Sequence, residues 1–198
     1  MEDLRNLDSA QLEERLLKAA GPVGYPSLPE VLAFAKDRHS GQNRKDGQDY
    51  ICHPLRVALI LAEGAELKDA NLLSAAVLHD VVEDTETEIG EIEEQFGHQT
   101  ATLVQALTLP PKREGESSHQ QSMAHFKALA WAPRDAQILR SADRLDNLQN
   151  MGPGFTAERI QEYAAETRDG LLELTLACNT FLYHALKDAI EASLALEK

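Results

Sequence analysis

An apolar run, Leu72–Leu78, leads without a break into four titratable side chains, His79, Asp80, Glu83 and Asp84. Ionisable groups at the end of a buried helix cost free energy unless hydrogen bonds, opposite charges or a metal ion satisfy them. Adjacent residues of a helix point about 100° apart, so His79 and Asp80 can flank one ion only if it lies beside the helix end. Glu83 and Asp84 follow them by one helical turn, which directs both carboxylates towards the same region.

Two further residues, His53 and Asp143, have the same chemical character and lie on or at the end of a predicted helix. Two imidazoles and two carboxylates form a site that suits Mn²⁺, Fe²⁺, Zn²⁺ or Mg²⁺. We assign Cys52 to the core, and a set without thiolates argues against a structural zinc cluster. A six-coordinate ion with four protein ligands keeps room for a water molecule, which it would acidify, and for a phosphoryl oxygen, which it would polarise.

These residues also have an ordinary structural interpretation. His79 and Asp80 can bond to the backbone at a helix end, and His53 can be a helix cap, which Pro54 fits. Asp143 can pair with a neighbouring arginine. Spacing alone leaves both interpretations open.

The elements that must position these side chains are helices, because strand signals are almost absent. We predict an all-α, single-domain helical bundle over 1–198, with its core at about 27–187, an N-terminal helix within 1–20 and a loop at 109–118. Capping signals predict the starts of several helices, at Asp8, Ser27, Asp69, Thr85 and Thr156. The expected helices cover about 8–20, 28–41, 54–63, 70–82, 86–96, 98–107, 119–130 and 134–150, with a long final stretch from Thr156 to about Leu186.

Composition narrows the class of function. The chain has 198 residues and a formal net charge of −14, which disfavours a nucleic-acid or anionic-membrane surface. Two cysteines far apart in the chain form no disulfide framework and favour a cytoplasmic setting. We expect neither a signal peptide nor a membrane span, and the sequence does not set the oligomeric state.

Several separate blocks of the sequence resemble the hydrolase domain of the RelA/SpoT alarmone enzymes, a branch of the HD hydrolases, over roughly 30–150. The blocks are Arg44-Lys45-Asp46-Gly47, Tyr50-Ile51-Cys52-His53-Pro54, Ala75–Thr85, Phe96-Gly97 and Ala142–Leu148. The stretch Glu158–Tyr163 looks more like the single-domain metazoan SpoT homologues. The chain also ends where bifunctional relatives would continue into a synthetase domain, so it resembles a small alarmone hydrolase.

This resemblance implies a function and a role for each matching residue. The reaction would remove pyrophosphate from the 3′ position of (p)ppGpp or (p)ppApp, alarmones of the stringent response, to leave GDP or GTP (or ADP or ATP). Mn²⁺ would be held by His53, His79, Asp80 and Asp143, and Glu83-Asp84 would be the catalytic acidic pair. The expected substrate contacts are Arg44, Lys45, Arg140, Asn147, Arg159 and Tyr163.

The chain departs from these relatives in places that concern its substrate. Ser141 stands where many relatives have an aliphatic residue, Arg140 where many have lysine, and the segment 109–127 matches poorly. Adenosine alarmones therefore remain an option, as does removal of the 2′-phosphate of NADPH, an activity linked to a metazoan relative. A regulator that binds alarmone without catalysis, and a helical scaffold protein, are the alternatives from other classes. We also expect basic side chains around Arg44 to form a local positive pocket for the polyanion.

Overall fold

The computed structural model describes residues 4–22, 24–45, 47–152 and 154–196, and over these residues the fold is all-α as predicted. After a 3₁₀ turn at Leu4–Asn6, the helices are α1 (Ser9–Ala20), α2 (Leu28–Arg38), α3 (Cys52–Leu59), α4 (Ala70–Leu78), α5 (Val81–Asp84), α6 (Ile89–Phe96), α7 (His98–Leu107), α8 (Ser118–Leu129), α9 (Arg134–Asn150), α10 (Ala157–Gly170), α11 (Leu172–Cys178) and α12 (Thr180–Leu194). Within the described ranges, β structure is limited to an isolated bridge between Asn43 and Asp49. No described helix is both long and apolar enough to cross a bilayer.

The chain divides into two compact units, one ending at Thr108 and the other beginning at Leu109. The division falls at the start of the predicted loop, and 109–117 indeed has no regular helix. The prediction of a single domain remains a prediction. Asp46 and Pro153, which belong to predicted loops, lie outside the described residues.

Helix α4 is the central element of the first unit. Its residues from Leu72 to Leu78 are all buried, and the helix packs against α2, α3 and α7. Helix α3 is likewise buried along its whole length, and a π-helical turn, Ile60–Gly64, continues it. A helix that is apolar on all sides is stable only inside a core. The apolar run therefore fixes α4 within the unit and places His79 directly after its last turn.

The helix starts at Asp8, Asp69 and Thr156 are confirmed, because each side chain accepts a hydrogen bond from a backbone N–H of the first turn. The start at Ser27 is confirmed, since Ser27 is the N-cap of α2, but the predicted capping box is wrong because its side chain makes no cap bond and Pro29 removes one of the N–H groups that such a cap can use. The capping box predicted at Thr85 is wrong. Its hydroxyl accepts from the N–H of Thr87 and donates to the carbonyl of Val81, but α6 begins only at Ile89, with Glu88 as its N-cap.

Several predicted helix ends are also corrected. Helix α2 ends at Arg38 rather than near residue 41, and α4 ends at Leu78 rather than at Val82. Helix α3 begins at Cys52, so Pro54 lies in its first turn, as expected. The long final stretch is interrupted twice and continues to Leu194, beyond the predicted end of the core.

Helix α9 is the central element of the second unit and packs against α10, α11 and α12. Its residues 141–146 are buried without exception. Ser141 is fully buried, and its hydroxyl bonds to the carbonyl of Gln137 at 2.8 Å and to the hydroxyl of Thr175 at 2.7 Å. Because a buried hydroxyl needs such partners, Thr175 accounts for the polar residue at this buried position.

Candidate metal centre and active site

The first unit brings together three of the four predicted metal ligands, His53, His79 and Asp80. One ligand atom of each lies within 4.8 Å of the others. The Nε2 atom of His53 is 3.5 Å from Oδ2 of Asp80, and Nε2 of His79 is 3.1 Å from Oδ1 of the same carboxylate. Both histidines are buried, whereas Asp80 is partly exposed. Two imidazoles and a carboxylate that converge in this way form a donor set for a divalent cation.

The protonation of His79 supports this assignment. Its Nδ1 atom lies 2.9 Å from the carbonyl oxygen of Ala76, and since a carbonyl only accepts, Nδ1 carries the proton. In a neutral imidazole, Nε2 then presents a lone pair towards the Asp80 carboxylate. Two acceptor atoms at this distance repel each other unless a proton or a cation lies between them. The residues present therefore fit a bound cation.

The backbone explains how neighbouring residues reach one point. Helix α4 ends at Leu78, His79 is its C-cap, and α5 begins only at Val81. His79 and Asp80 form a two-residue turn that keeps right-handed helical backbone angles, and within it Oδ1 of Asp80 lies 3.1 Å from Nε2 of His79. Carbonyl groups at the end of α4 also carry partial negative charge, which favours a cation there.

Tyr50 is a member of this cluster to which the sequence analysis gave no role. Its hydroxyl donates a hydrogen bond of 2.7 Å to Oδ2 of Asp80. Burial, and then the negative charge of Asp80, raise the pKa of Tyr50 far above its ordinary value. Tyr50 therefore stays protonated and remains a donor. Its position three residues before His53 was the only signal in the sequence.

The predicted acidic pair, Glu83 and Asp84, lies in the short helix α5, and both side chains are exposed. The backbone N–H of Asp84 donates to the carbonyl of Asp80 at 2.9 Å, which links the pair to the cluster. Exposed carboxylates beside a metal cluster are accessible to water and to a substrate. Their catalytic role remains a prediction.

Arg44 and Lys45 lie in a tight loop between α2 and α3. The loop is closed by the bridge between Asn43 and Asp49 and by a hydrogen bond of 2.8 Å from the N–H of Arg44 to the carbonyl of Gln48. Arg44 is half-buried and Lys45 is exposed. The amide of Gln42 donates to the carbonyl of Asp84 at 2.9 Å, so the loop is attached to the helix that carries the acidic pair.

The fourth predicted ligand, Asp143, lies in the second unit and is buried. Its Oδ2 accepts from Arg140 and its Oδ1 from Asn147, both at 2.8 Å. Three predicted site residues therefore form one network on α9, although the role of Asp143 as a ligand stays a prediction. The pairing with Arg140 is the alternative that the sequence had left open.

His125 extends this network, and the sequence analysis gave it no role. It is buried, and Arg140 donates to its Nε2 at 3.0 Å, which requires that this nitrogen be unprotonated. Burial, and then the positive charges of Arg140 and Arg144, lower the pKa of His125 to about 4. His125 therefore holds one side of the guanidinium while Asp143 holds the other.

Arg159 and Tyr163 share a face of α10, as predicted, but Arg144 covers the ring of Tyr163. The guanidinium carbon of Arg144 lies 3.8 Å from the ring centre, and that of Arg159 lies 5.9 Å away. Both arginines approach the buried carboxylate of Glu166, at 3.5 and 3.9 Å. Burial raises the pKa of Tyr163. Sequence reasoning missed Arg144 and Glu166, because an arginine and a glutamate on helices are usually solvated.

The chain matches a known protein family and is similar to enzymes of known activity. Residues 31–169 match the family model described as HD domain. The MESH1 guanosine-3′,5′-bis(diphosphate) 3′-pyrophosphohydrolase of Danio rerio is 37% identical over 145 residues, which are 69% of this chain and 77% of that protein. The Homo sapiens MESH1 is 36% identical over 81% of this chain and 93% of its own length.

Longer bacterial proteins also match this chain. The guanosine-3′,5′-bis(diphosphate) 3′-pyrophosphohydrolase of Aquifex aeolicus is 36% identical over 84% of this chain but only 24% of its own length. A solved structure, described as a metazoan orthologue of SpoT that hydrolyses ppGpp and plays a role in starvation responses, superposes with a TM-score of 0.75. It is 27% identical and the match covers 88% of this chain and 100% of that one.

Proposed function

The chain belongs to the HD domain family and resembles its guanosine-3′,5′-bis(diphosphate) 3′-pyrophosphohydrolases along most of its length, and on that premise we propose that it removes pyrophosphate from the 3′ position of ppGpp. The observation that carries this proposal is the convergence of His53, His79 and Asp80 within 4.8 Å. The relatives are named for this activity, and the structural neighbour is described as hydrolysing ppGpp.

We propose Mn²⁺ as the metal, with Asp143 as a fourth ligand and a single domain formed by the whole chain. Nitrogen and carboxylate ligands without thiolates are compatible with Mn²⁺. The family match supports a single domain, since 31–169 extends across the boundary at Thr108. When bound, a divalent cation polarises a phosphoryl oxygen and acidifies a water molecule.

The side chains of this chain supply the remaining chemistry. Water attacks the phosphorus attached to O3′ of the ribose, the bond between O3′ and phosphorus breaks, and the products are GDP and pyrophosphate. One carboxylate of Glu83 and Asp84 accepts the proton of the attacking water, and a carboxyl group of the same pair returns a proton to O3′. Tyr50 holds Asp80 in place during these transfers through the hydrogen bond of its hydroxyl.

Binding of the polyanionic substrate requires local positive charge on an acidic protein. Arg44 and Lys45 provide it on the loop that Gln42 attaches to the carbonyl of Asp84. We assign the diphosphate groups to these two cations, because a guanidinium and an ammonium both form charge-assisted hydrogen bonds with phosphate oxygens. Arg140, Asn147, Arg159 and Tyr163 remain the proposed contacts of the second unit with the nucleotide.

Product analysis tests the proposed function. Purified protein loaded with Mn²⁺ is incubated with ppGpp, ppApp, NADPH and a deoxynucleoside triphosphate, and catalytic efficiencies are compared. We expect GDP and pyrophosphate from ppGpp with the highest efficiency. Release of phosphate from NADPH at higher efficiency would replace the proposal with the phosphatase alternative, and tight ppGpp binding without product would replace it with the regulator.

A further inference from the structure

Both oxygens of the Asp80 carboxylate have close polar neighbours. Oδ1 faces His79 at 3.1 Å, whereas Oδ2 faces His53 at 3.5 Å and accepts the hydroxyl hydrogen bond of Tyr50 at 2.7 Å. Tyr50 contributes the shortest of these contacts. A donor on a ligating carboxylate fixes the direction of its remaining lone pairs, which are the ones available to a cation.

Tyr50 is itself held by neighbours on two sides. Its ring stacks on the buried ring of His39, with 4.8 Å between centroids and 29° between planes, and its edge meets His53 at 6.3 Å. The Nδ1 atom of His39 lies 2.8 Å from the amide oxygen of Gln42. The hydroxyl of Tyr50 therefore has little freedom to leave Asp80.

The same residues connect the cluster to the loop that carries Arg44 and Lys45. The backbone N–H of Tyr50 donates to the carbonyl of Gln42 at 3.0 Å, and the amide of Gln42 donates to the carbonyl of Asp84 at 2.9 Å. His39, Gln42 and Tyr50 thus form a bracket between α2, the loop and the segment 79–84.

We propose that Tyr50 is a positioning residue that orients Asp80 for cation binding, supported by the bracket of His39 and Gln42. This inference rests on the metal site of the proposed function. Loss of the hydroxyl leaves the carboxylate free to rotate and removes a donor from it. Loss of such an outer hydrogen bond typically weakens metal affinity by about 10- to 100-fold.

The test compares Tyr50→Phe with Tyr25→Phe in the full chain. Tyr25 is exposed, and its hydroxyl donates to the carbonyl of Gln95 at 2.9 Å, so the control also removes one phenolic hydrogen bond. Mn²⁺ binding to chelator-treated protein is measured by titration calorimetry. We expect the Kd for Mn²⁺ to rise at least about tenfold in Tyr50→Phe and to stay unchanged in Tyr25→Phe. The metal-free melting temperatures of both variants show whether each remains folded.

Activity provides a second readout that a structural role alone would not produce. The Mn²⁺ concentration for half-maximal ppGpp hydrolysis should rise in Tyr50→Phe, whereas KM for ppGpp at saturating Mn²⁺ should match the wild type. Wild-type affinity for Mn²⁺ in a folded Tyr50→Phe would overturn the inference and leave the proposed function standing. Weaker Mn²⁺ binding by Tyr50→Phe, in a protein whose wild type hydrolyses no alarmone, would support the inference and refute the function.

Discussion

The Nδ1–H of His79 donates to the carbonyl oxygen of Ala76 at 2.9 Å, three residues earlier in the chain. This bond fixes which nitrogen is protonated and leaves Nε2 to face Asp80 at 3.1 Å. A helix end that satisfies one nitrogen and directs the other at a carboxylate prepares the imidazole for a cation rather than for a packed core. The assignment of His79 as a metal ligand depends on this hydrogen bond and on the position of Nε2 beside Asp80.

The acidic pair should act in the chemical step rather than in metal binding. We expect Glu83→Gln and Asp84→Asn each to lower kcat by about 100-fold or more, because a neutral amide neither accepts nor returns a proton. Neither variant should change the Kd for Mn²⁺ substantially. Steady-state kinetics with ppGpp and calorimetry with Mn²⁺ are the measurements, with Glu86→Gln as an exposed control on the same segment. Wild-type kcat in both variants would remove the pair from the mechanism.

His125 should make stability depend on pH in a defined window. Its pKa is about 4 in the folded protein and about 6.5 when unfolded, so between these values the unfolded chain binds the additional proton. The contribution of neutral His125 to the free energy of unfolding is complete above about pH 6.5 and is lost as the pH falls towards 4.

Urea unfolding at pH 7 and pH 4.5 measures this contribution. Between pH 7 and pH 4.5, the free energy of unfolding of the wild type should fall by on the order of 1–3 kcal/mol more than that of His125→Gln. The reason is that glutamine still accepts a hydrogen bond from Arg140 but does not titrate. His184→Gln, at an exposed histidine, should lose as much as the wild type. An equal loss in His125→Gln and the wild type would contradict the assignment.

Gly170 should be required for the packing of Phe126. A Cβ added at Gly170 would lie 2.3 Å from Cδ2 of Phe126, whose ring packs against the Arg144 guanidinium at 4.8 Å. We expect Gly170→Ala to lower the free energy of unfolding by about 1–3 kcal/mol through this overlap. Gly90→Ala, at a helical glycine with open space around it, should raise it by up to about 1 kcal/mol. Urea unfolding measures both changes in the free energy of unfolding. Stabilisation by both substitutions would show that the ring of Phe126 moves aside without cost.

Local sequence predicted most helices because the apolar periodicity and the caps act within a few residues. Asp69 caps α4 as expected, since its carboxylate needs only the N–H groups of Asn71 and Leu72. The same signal failed at Thr85, whose hydroxyl donates to the carbonyl of Val81 and accepts from the N–H of Thr87, two residues later, while α6 begins only at Ile89. A spacing rule does not tell whether a hydroxyl that bonds to the nearby backbone closes a turn or begins a helix.

The candidate metal ligands could be predicted from their residue types, but the side chains that surround them could not. Histidine and aspartate at a helix end carry a cost that demands a partner, which the sequence shows directly. Packing of the folded chain creates the contacts through which three other residues act, namely Tyr50, Gln42 and His125. The stacking of Tyr50 on His39 is one example. The two-residue turn at His79 and Asp80, between α4 and α5, was likewise hidden in a continuous helical pattern.

The claim that His53 and Asp80 hold a catalytic Mn²⁺ ion is tested by measuring Mn²⁺ binding and ppGpp turnover in variants of both residues. Asp80→Asn and His53→Ala are titrated with Mn²⁺ by calorimetry and assayed for pyrophosphate release from ppGpp, beside Asp169→Asn, a surface carboxylate paired with Arg168. The account predicts that Asp80→Asn and His53→Ala each lose metal and turnover together, whereas Asp169→Asn retains both. Normal ppGpp hydrolysis by a folded Asp80→Asn or His53→Ala in the presence of Mn²⁺ would contradict it.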